Sequence, residues 1–382
     1  MPCTSNFQDI SLYFHIPFCT RKCDYCHFYV VPDKEPWKQQ LMDGLALEWQ
    51  MRLPSLEGKR IVSIYFGGGT PSLLGAERIG IILSWIRQAF PLKSDTEITL
   101  EANPENISLP LMQAYRDVGI NRVSIGIQTL DNRLLQTLTR QHDAQKGLQA
   151  VHYTAEAGIR NISIDLMYDL PGQDLVAWEN TLKQAVELPI THLSLYNLTM
   201  EPHTVFFKKQ DLLQKIIPDE DTSLKMYEMA IELLDKGKLT QYEISAFSRD
   251  NLYSRHNVGY WTARPFLGFG PSAYSYWEGK RFRNVCNLSR YCKALSEQES
   301  PVDFEEELDP AAKLRELFVI QIRLREGINL QDFQEKNGSI AFETLRSLED
   351  LSKQGLICLS STHASLTKRG ILFYDTIASE LI

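Results

Sequence analysis

The chain has 382 residues, is 43% hydrophobic and carries a formal net charge of −8. That length allows one large domain plus a smaller one, and the acidic balance, with no long basic stripe, argues against a phosphate backbone as partner. No apolar run reaches the roughly 20 residues that span a bilayer, and "MPCTSNFQDI" lacks the layout of a secretory signal, so the cytoplasm is the expected location.

Taken in chain order, short β-branched or apolar runs alternate with longer amphipathic segments. The runs are "SLYFHI" from Ser11, "IVSIYF" from Ile61, "TEITLE" from Thr96, "NRVSIGI" from Asn121, "NISIDLM" from Asn161 and "THLSLYNL" from Thr191. Segments such as "PWKQQLMDGLALEWQMR" and "GAERIGIILSWIRQAF" place apolar residues at helical spacing between them. Strands nearly continuous in apolar residues and alternating with helices predict a parallel sheet, either doubly wound or closed toward a barrel. Polar and glycine-rich chemistry collects after each run: the Cys loop, "GGGTP" (67–71), Glu101, Gln128, Asp165, then Tyr196 and Asn197. One site assembled across a barrel mouth has that distribution, which favours an incomplete (β/α)6 TIM-like barrel.

Beyond about Thr204 the pattern changes. "DEDTSLKMYEMAIELLDKG" reads as a surface helix, "YEISAF" as one strand, and Tyr253 to Trp277 as an aromatic, glycine-rich segment. From about Pro301, two helical segments precede a β-hairpin in "LICLSSTHASLTKRGILF", which suggests a winged-helix-like module. Acidic residues outnumber basic ones there, so it reads as a packing or partner module and not as a DNA reader. The expected domains are a core barrel over 1–203, a barrel extension over 204–300 and the C-terminal module over 301–382.

Cys19, Cys23 and Cys26 fall within eight positions, a spacing that suits a metal site and not a disulfide framework. Three thiolates at this spacing suit three irons of a 4Fe-4S cubane and leave the fourth iron open. A zinc site is the other reading, but structural zinc takes four ligands. Cys3, Cys286, Cys292 and Cys358 are scattered and read as packing thiols. With few apolar anchors, the Cys loop is expected to have little to pack against before a cluster binds. "GGGTP" either lets the backbone approach a small molecule or makes a tight strand-to-helix turn.

The CxxxCxxC loop, "GGGTP", "EANP", "SIGIQ", "LTRQH", "SIDLMYDLPGQ", "YEIS" and "RHNVGYW", in that order, resemble the radical S-adenosylmethionine superfamily. Within it, they resemble the branch of oxygen-independent coproporphyrinogen III oxidases (dehydrogenases) and heme chaperones. The resemblance implies that Cys19, Cys23 and Cys26 hold a 4Fe-4S cluster and that S-adenosyl-L-methionine chelates its open iron. It also implies that Tyr13, Tyr25, Gly69, Thr70, Glu101, Gln128, Arg140 and Asp165 line the S-adenosyl-L-methionine site. The family reaction breaks a carbon–sulfur bond to give a 5′-deoxyadenosyl radical.

Two features separate the branches. The oxidases show a further cysteine two positions after the third, where this chain has Phe28, and they carry a longer extension before the cluster. His256, Asn257, Tyr260 and Trp261 match the HNxxYW signature of the chaperones, which implies that His256 is a heme ligand or close neighbour; a core histidine satisfied by its surroundings is the alternative. The chain departs from the family pattern at His27, where Asp is usual, at Asp169, where Gly is usual, and in "GFGPSAYS". The resemblance thus implies heme transfer to apo-hemoproteins, with an electron donor as a further partner. The alternative is an enzyme, a coproporphyrinogen oxidase in porphyrin biosynthesis.

Overall fold

The computed structural model describes residues 8–382. Cys3 lies outside them. Six parallel strands lie side by side in chain order: β1 (Gln8–Ile16), β2 (Lys59–Gly68), β3 (Glu97–Ala102), β4 (Arg122–Gln128), β5 (Asn161–Tyr168) and β6 (His192–Asn197). They are joined by helices that include α1 (Glu35–Arg52), α2 (Ala76–Ala89), α3 (Leu109–Val118), α4 (Ala144–Glu156) and α5 (Leu175–Glu187). β1 and β6 are the two ends of this array and do not pair, so the barrel is incomplete.

Each free edge is extended. On the β6 side, α6 (Glu220–Lys236) leads into β7 (Thr240–Glu243) and β8 (Ala246–Ser248), with β8 antiparallel to β6. The single strand expected over "YEISAF" is therefore a hairpin. It reverses at Ile244 and Ser245, where the Ile244 carbonyl accepts from the Tyr227 hydroxyl at 2.9 Å and the Gln241 amide at 3.0 Å. On the β1 side, helix α7 (Arg255–Trp261) precedes β9 (Phe266–Phe269), which runs parallel to β1. The antiparallel strands β10 (Tyr274–Trp277), β11 (Lys280–Asn284) and β12 (Val302–Glu307) follow.

The six strands are not continuous in apolar residues, as the sequence suggested; they alternate. Ile10, Leu12, Phe14 and Ile16 of β1 are fully buried in the apolar core, with Ile64 and Phe66 of β2 and Val123 and Ile125 of β4. Phe14 is stacked between Phe66 at 5.3 Å and Phe269 at 4.9 Å. The intervening residues turn to the other face and are polar. Ser11 meets Ser63 at 2.8 Å, Tyr13 stacks on Tyr65 at 6.1 Å, and Ser124 reaches Asp165 at 3.3 Å. Helices cover only the convex face, so the period-two alternation of a half-apolar strand applies, and the concave face is free for chemistry.

The C-terminal region folds as expected. Helices α9 (Pro310–Gln321), which follows α8 (Leu288–Ser296), α10 (Leu330–Asn337) and α11 (Phe342–Lys353) pack with a small sheet. Its strands are β13 (Ile328–Asn329), β14 (Ile357–Leu359) and β15 (His363–Leu366), the last two forming the hairpin. Among the described residues, no helix is long and apolar enough to cross a membrane.

Phe14 links β1 to the strands on either side of it. Phe14→Ala should lower the unfolding free energy by about 3–5 kcal/mol, read from urea denaturation, because a three-ring stack loses its central member.

Candidate functional site

The Cys loop leaves the end of β1 and is closed at its base by a short parallel pairing of Phe18–Cys19 with Val31–Pro32. Asp33 donates its amide to the Cys19 carbonyl at 3.2 Å, and a tight turn brings the Cys26 amide to the Cys23 carbonyl at 3.1 Å. Contrary to the expectation of a poorly anchored loop, its tip is held from two sides. The Asp24 amide donates to Thr139 Oγ1 at 3.0 Å, and the Asp24 carbonyl accepts from the Phe206 amide at 3.0 Å. Phe206 also packs edge-on against Tyr25 at 6.2 Å.

"GGGTP" lies against this base. Gly69 donates its amide to the Ile16 carbonyl at 2.9 Å, and Thr70 donates to the Phe18 carbonyl at 2.7 Å. A Cβ on Gly69 would stand 2.7 Å from the Phe18 carbonyl oxygen, and Gly68, at φ +114°, faces the His15 ring. At these two positions glycine is required by the close approach of the end of β1 and the base of the Cys loop that follows it.

From Thr70 a polar chain crosses the rim. Thr70 Oγ1 meets Cys19 Sγ at 3.4 Å and accepts from the Asn103 amide at 2.9 Å. Asn103 Oδ1 accepts from Arg140 Nη2 at 2.7 Å, and the same nitrogen donates to the Gly126 carbonyl at 2.8 Å. Arg140 Nη1 reaches Cys23 Sγ at 3.6 Å, within range for a sulfur acceptor, and contacts the Tyr25 hydroxyl at 3.5 Å. Gly69, Thr70, Arg140, Tyr25 and the Cys loop are thereby brought together. Asn103, the link between Thr70 and Arg140, and Thr139, which holds the loop tip, lie within "EANP" and "LTRQH" but were given no role of their own from the sequence. Asn103 carries a signal, since it follows Glu101 by two residues and shares its face of the chain.

Below the rim, on the concave face, stand the carboxylates. Glu101 accepts from the Tyr65 hydroxyl at 2.7 Å and from the Gly68 amide at 3.2 Å. Burial pushes its pKa up to about 7, Asp165 adds to the rise, and the Tyr65 hydrogen bond opposes it. Burial likewise raises Asp165, against hydrogen bonds from Ser194 and Ser124. Tyr13 joins this group, with its hydroxyl 3.1 Å from His15 Nδ1. Gln128 ends β4 at φ +68°, after a break in register with β5. Arg122, fully buried on β4, acts on both carboxylates through its charge; nothing in the sequence marked it.

The donor set fits the cofactors that the sequence resemblance implies. Three thiols, each partly accessible, sit on one rim with a guanidinium beside them, and Arg140 Nε is buried without a partner among the described residues. Burial pushes the Cys19 thiol up to about 11, so the free site favours the protonated form and a bound cation would reverse that. Each thiolate of a cubane binds a different iron, so the three need not converge on one point. Among the described residues, no three His, Cys, Asp or Glu side chains do so as a single ion would require.

His256 lies deeper. Its Nδ1 is 3.0 Å from Ser63 Oγ, its Nε2 is 2.8 Å from the Tyr260 hydroxyl, and its backbone amide donates to Glu97 at 3.0 Å. Burial pushes its pKa down to about 3, with Arg264 and Arg122 acting in the same direction. The imidazole is neutral and both nitrogens are engaged, the satisfied state that the sequence reading held as the alternative.

Residues 13–185 match the Radical SAM superfamily and residues 294–373 match the HemN C-terminal domain. The chain is 33% identical to "Heme chaperone HemW" of Lactococcus lactis, over 94% of each chain. It is 31% identical to the protein of that name from Bacillus subtilis, over 96% of this chain and 97% of the relative. The solved structure of coproporphyrinogen III oxidase (HemN) from Escherichia coli superposes with a TM-score of 0.86. That match covers 98% of this chain and 90% of the other at 23% identity, and it shows a common fold.

The raised Glu101 pKa fixes a pH dependence for the cofactor-free protein. Above its ordinary value of 4.5 the unfolded chain loses this proton first, so the contribution of Glu101 to stability should fall as pH rises from about 4.5 to about 7. Glu101→Gln should lack that slope in denaturation series run across the window. A wild-type-minus-variant difference that is flat with pH would contradict the assignment.

Proposed function

Because the chain belongs to the HemW family of radical SAM proteins, we propose that it is a heme chaperone that binds heme and releases it to apo-hemoproteins. The likeness to heme chaperones over nearly the whole length carries this reading. The alternative, a coproporphyrinogen III oxidase, is less well supported. Phe28 replaces the further cysteine of that branch, and the match to the oxidase is one of fold.

In this reading Cys19, Cys23 and Cys26 hold the 4Fe-4S cluster. Tyr13, Tyr25, Gly69, Thr70, Glu101, Gln128, Arg140 and Asp165 line the S-adenosyl-L-methionine site. When bound, the cluster and S-adenosyl-L-methionine supply one-electron chemistry at the open iron. The chain's own part is to hold and orient. Arg140 offsets thiolate charge and offers donors to a carboxylate, while Glu101 and Asp165 accept from ammonium and hydroxyl groups. The pKa values raised by burial would fall once a cation sits beside them. Such a protein needs an electron donor and works in the cytoplasm. Residues 1–203 form its core, 204–300 the extension with the HNxxYW helix, and 301–382 a module that faces the recipient. His256 acts as a neighbour of heme through Tyr260, because direct ligation would require Tyr260 to release Nε2.

Anaerobic mixing of heme-loaded protein with an apo-hemoprotein should move heme to the recipient, followed by absorbance, with no protoporphyrinogen formed from coproporphyrinogen III. Catalytic conversion of coproporphyrinogen III without heme transfer would replace the chaperone with the oxidase. Separately, Cys19→Ala, Cys23→Ala and Cys26→Ala should each lose the reconstituted iron. Cys286→Ala and Cys292→Ala should keep it, since their thiols only bond Ser272 and the Gln40 carbonyl.

A further inference from the structure

Helix α9 packs toward β9 and β10 and leaves a groove between them, a cavity of about 150 Å³. Lys313, Leu317 and Ile320 present one face of α9 to it at helical spacing, and Phe266 and Tyr276, paired across β9 and β10, form the opposite wall. Tyr260 closes one end and packs edge-on against Phe266 at 4.6 Å. It is the same tyrosine that holds His256 Nε2.

Two cations border these apolar walls without a carboxylate partner among the described residues. Arg264 donates to the Arg255 carbonyl at 3.0 Å and to Ser11 Oγ at 3.4 Å. Lys313 lies 5.8 Å from the Tyr276 ring. Of the groove's remaining charges, Arg281 and Glu316 offset each other, and Glu306, which is not part of the lining, bonds Arg281 from outside. The ligand that complements this surface is flat and apolar with anionic groups at its edge.

We propose that this groove seats heme, with the macrocycle against Phe266, Tyr276, Leu317 and Ile320 and the propionates at Arg264 and Lys313. The proposal rests on the chaperone reading and names where its cargo lies. The cavity is smaller than the about 300–1,000 Å³ of pockets that enclose a ligand. The macrocycle therefore stays partly exposed, as a cargo that is handed on must be. Tyr260 joins the groove to the HNxxYW helix, which explains why that motif accompanies heme without His256 being free to ligate it.

The test titrates cluster-loaded protein with ferric heme and with its dimethyl ester, which has the same ring but no propionate charge. Lys313→Glu and Arg264→Gln should weaken ferric heme binding at least about fivefold and leave the ester unaffected. Tyr276→Ala should weaken both ligands. Lys336→Glu, an exposed charge change elsewhere in the C-terminal region, should match wild type, and iron content should be constant throughout. Lys313 is only half-buried and makes no ion pair among the described residues, so Lys313→Glu decides the matter even if Arg264→Gln folds poorly. Wild-type affinity in Lys313→Glu and Tyr276→Ala would overturn the groove, and equal losses for heme and ester would overturn the propionate assignment. Failure of wild type to bind heme at all would instead overturn the chaperone reading on which the proposal stands.

Discussion

The site depends on one buried guanidinium. Arg140 joins the Asn103 side chain, the Gly126 carbonyl, Cys23 and Tyr25, so a single side chain ties β3, β4 and the Cys loop together. Burial alone would favour its neutral form, yet the Glu105 carboxylate and the acceptors Cys23, Asn103 and the Gly126 carbonyl hold it charged. Lysine could not replace it, because a point charge lacks the planar fork that reaches several acceptors at once. Through Asn103 and Thr70 the same network extends to Cys19, so two of the three thiols are positioned from one origin.

The barrel makes this arrangement possible by dividing its two faces. Packing of Phe14, Phe66 and Phe269 on the convex side supplies cohesion and leaves the concave side polar. Burial of Glu101 and Asp165 there is a cost in the free protein, offset in part by Tyr65, Ser124 and the charge of Arg122. A cationic ligand would relieve it, so the destabilised carboxylates and the affinity for such a ligand have one physical origin.

Much of this was legible in the sequence. The six runs, the loops that follow them and the C-terminal hairpin are local patterns, and the three-cysteine spacing carries its chemistry with it. The face of each strand was harder to read, because Tyr13 and Tyr65 look apolar in a run yet line the polar side. The roles of Asn103, Thr139 and Arg122 were not legible because they are contacts between residues distant in sequence. Asp169, an exception to the usual glycine, has a local account: it sits at φ +61°, which glycine tolerates best, and its carboxylate accepts from Asn197 and Ser223. For His27 the structure shows only stacking on Phe28 at 4.7 Å, which leaves the substitution itself unexplained.

If the Arg140 network positions both the thiols and the ligand of the open iron, the fork of its guanidinium matters and not its charge alone. Electron paramagnetic resonance of the reduced cluster, with and without S-adenosyl-L-methionine, tests it in Arg140→Lys, which keeps the charge and removes the fork. The expected result is a cluster spectrum that S-adenosyl-L-methionine no longer shifts, or a loss of iron on reconstitution. Wild-type iron content together with a wild-type shift would contradict it.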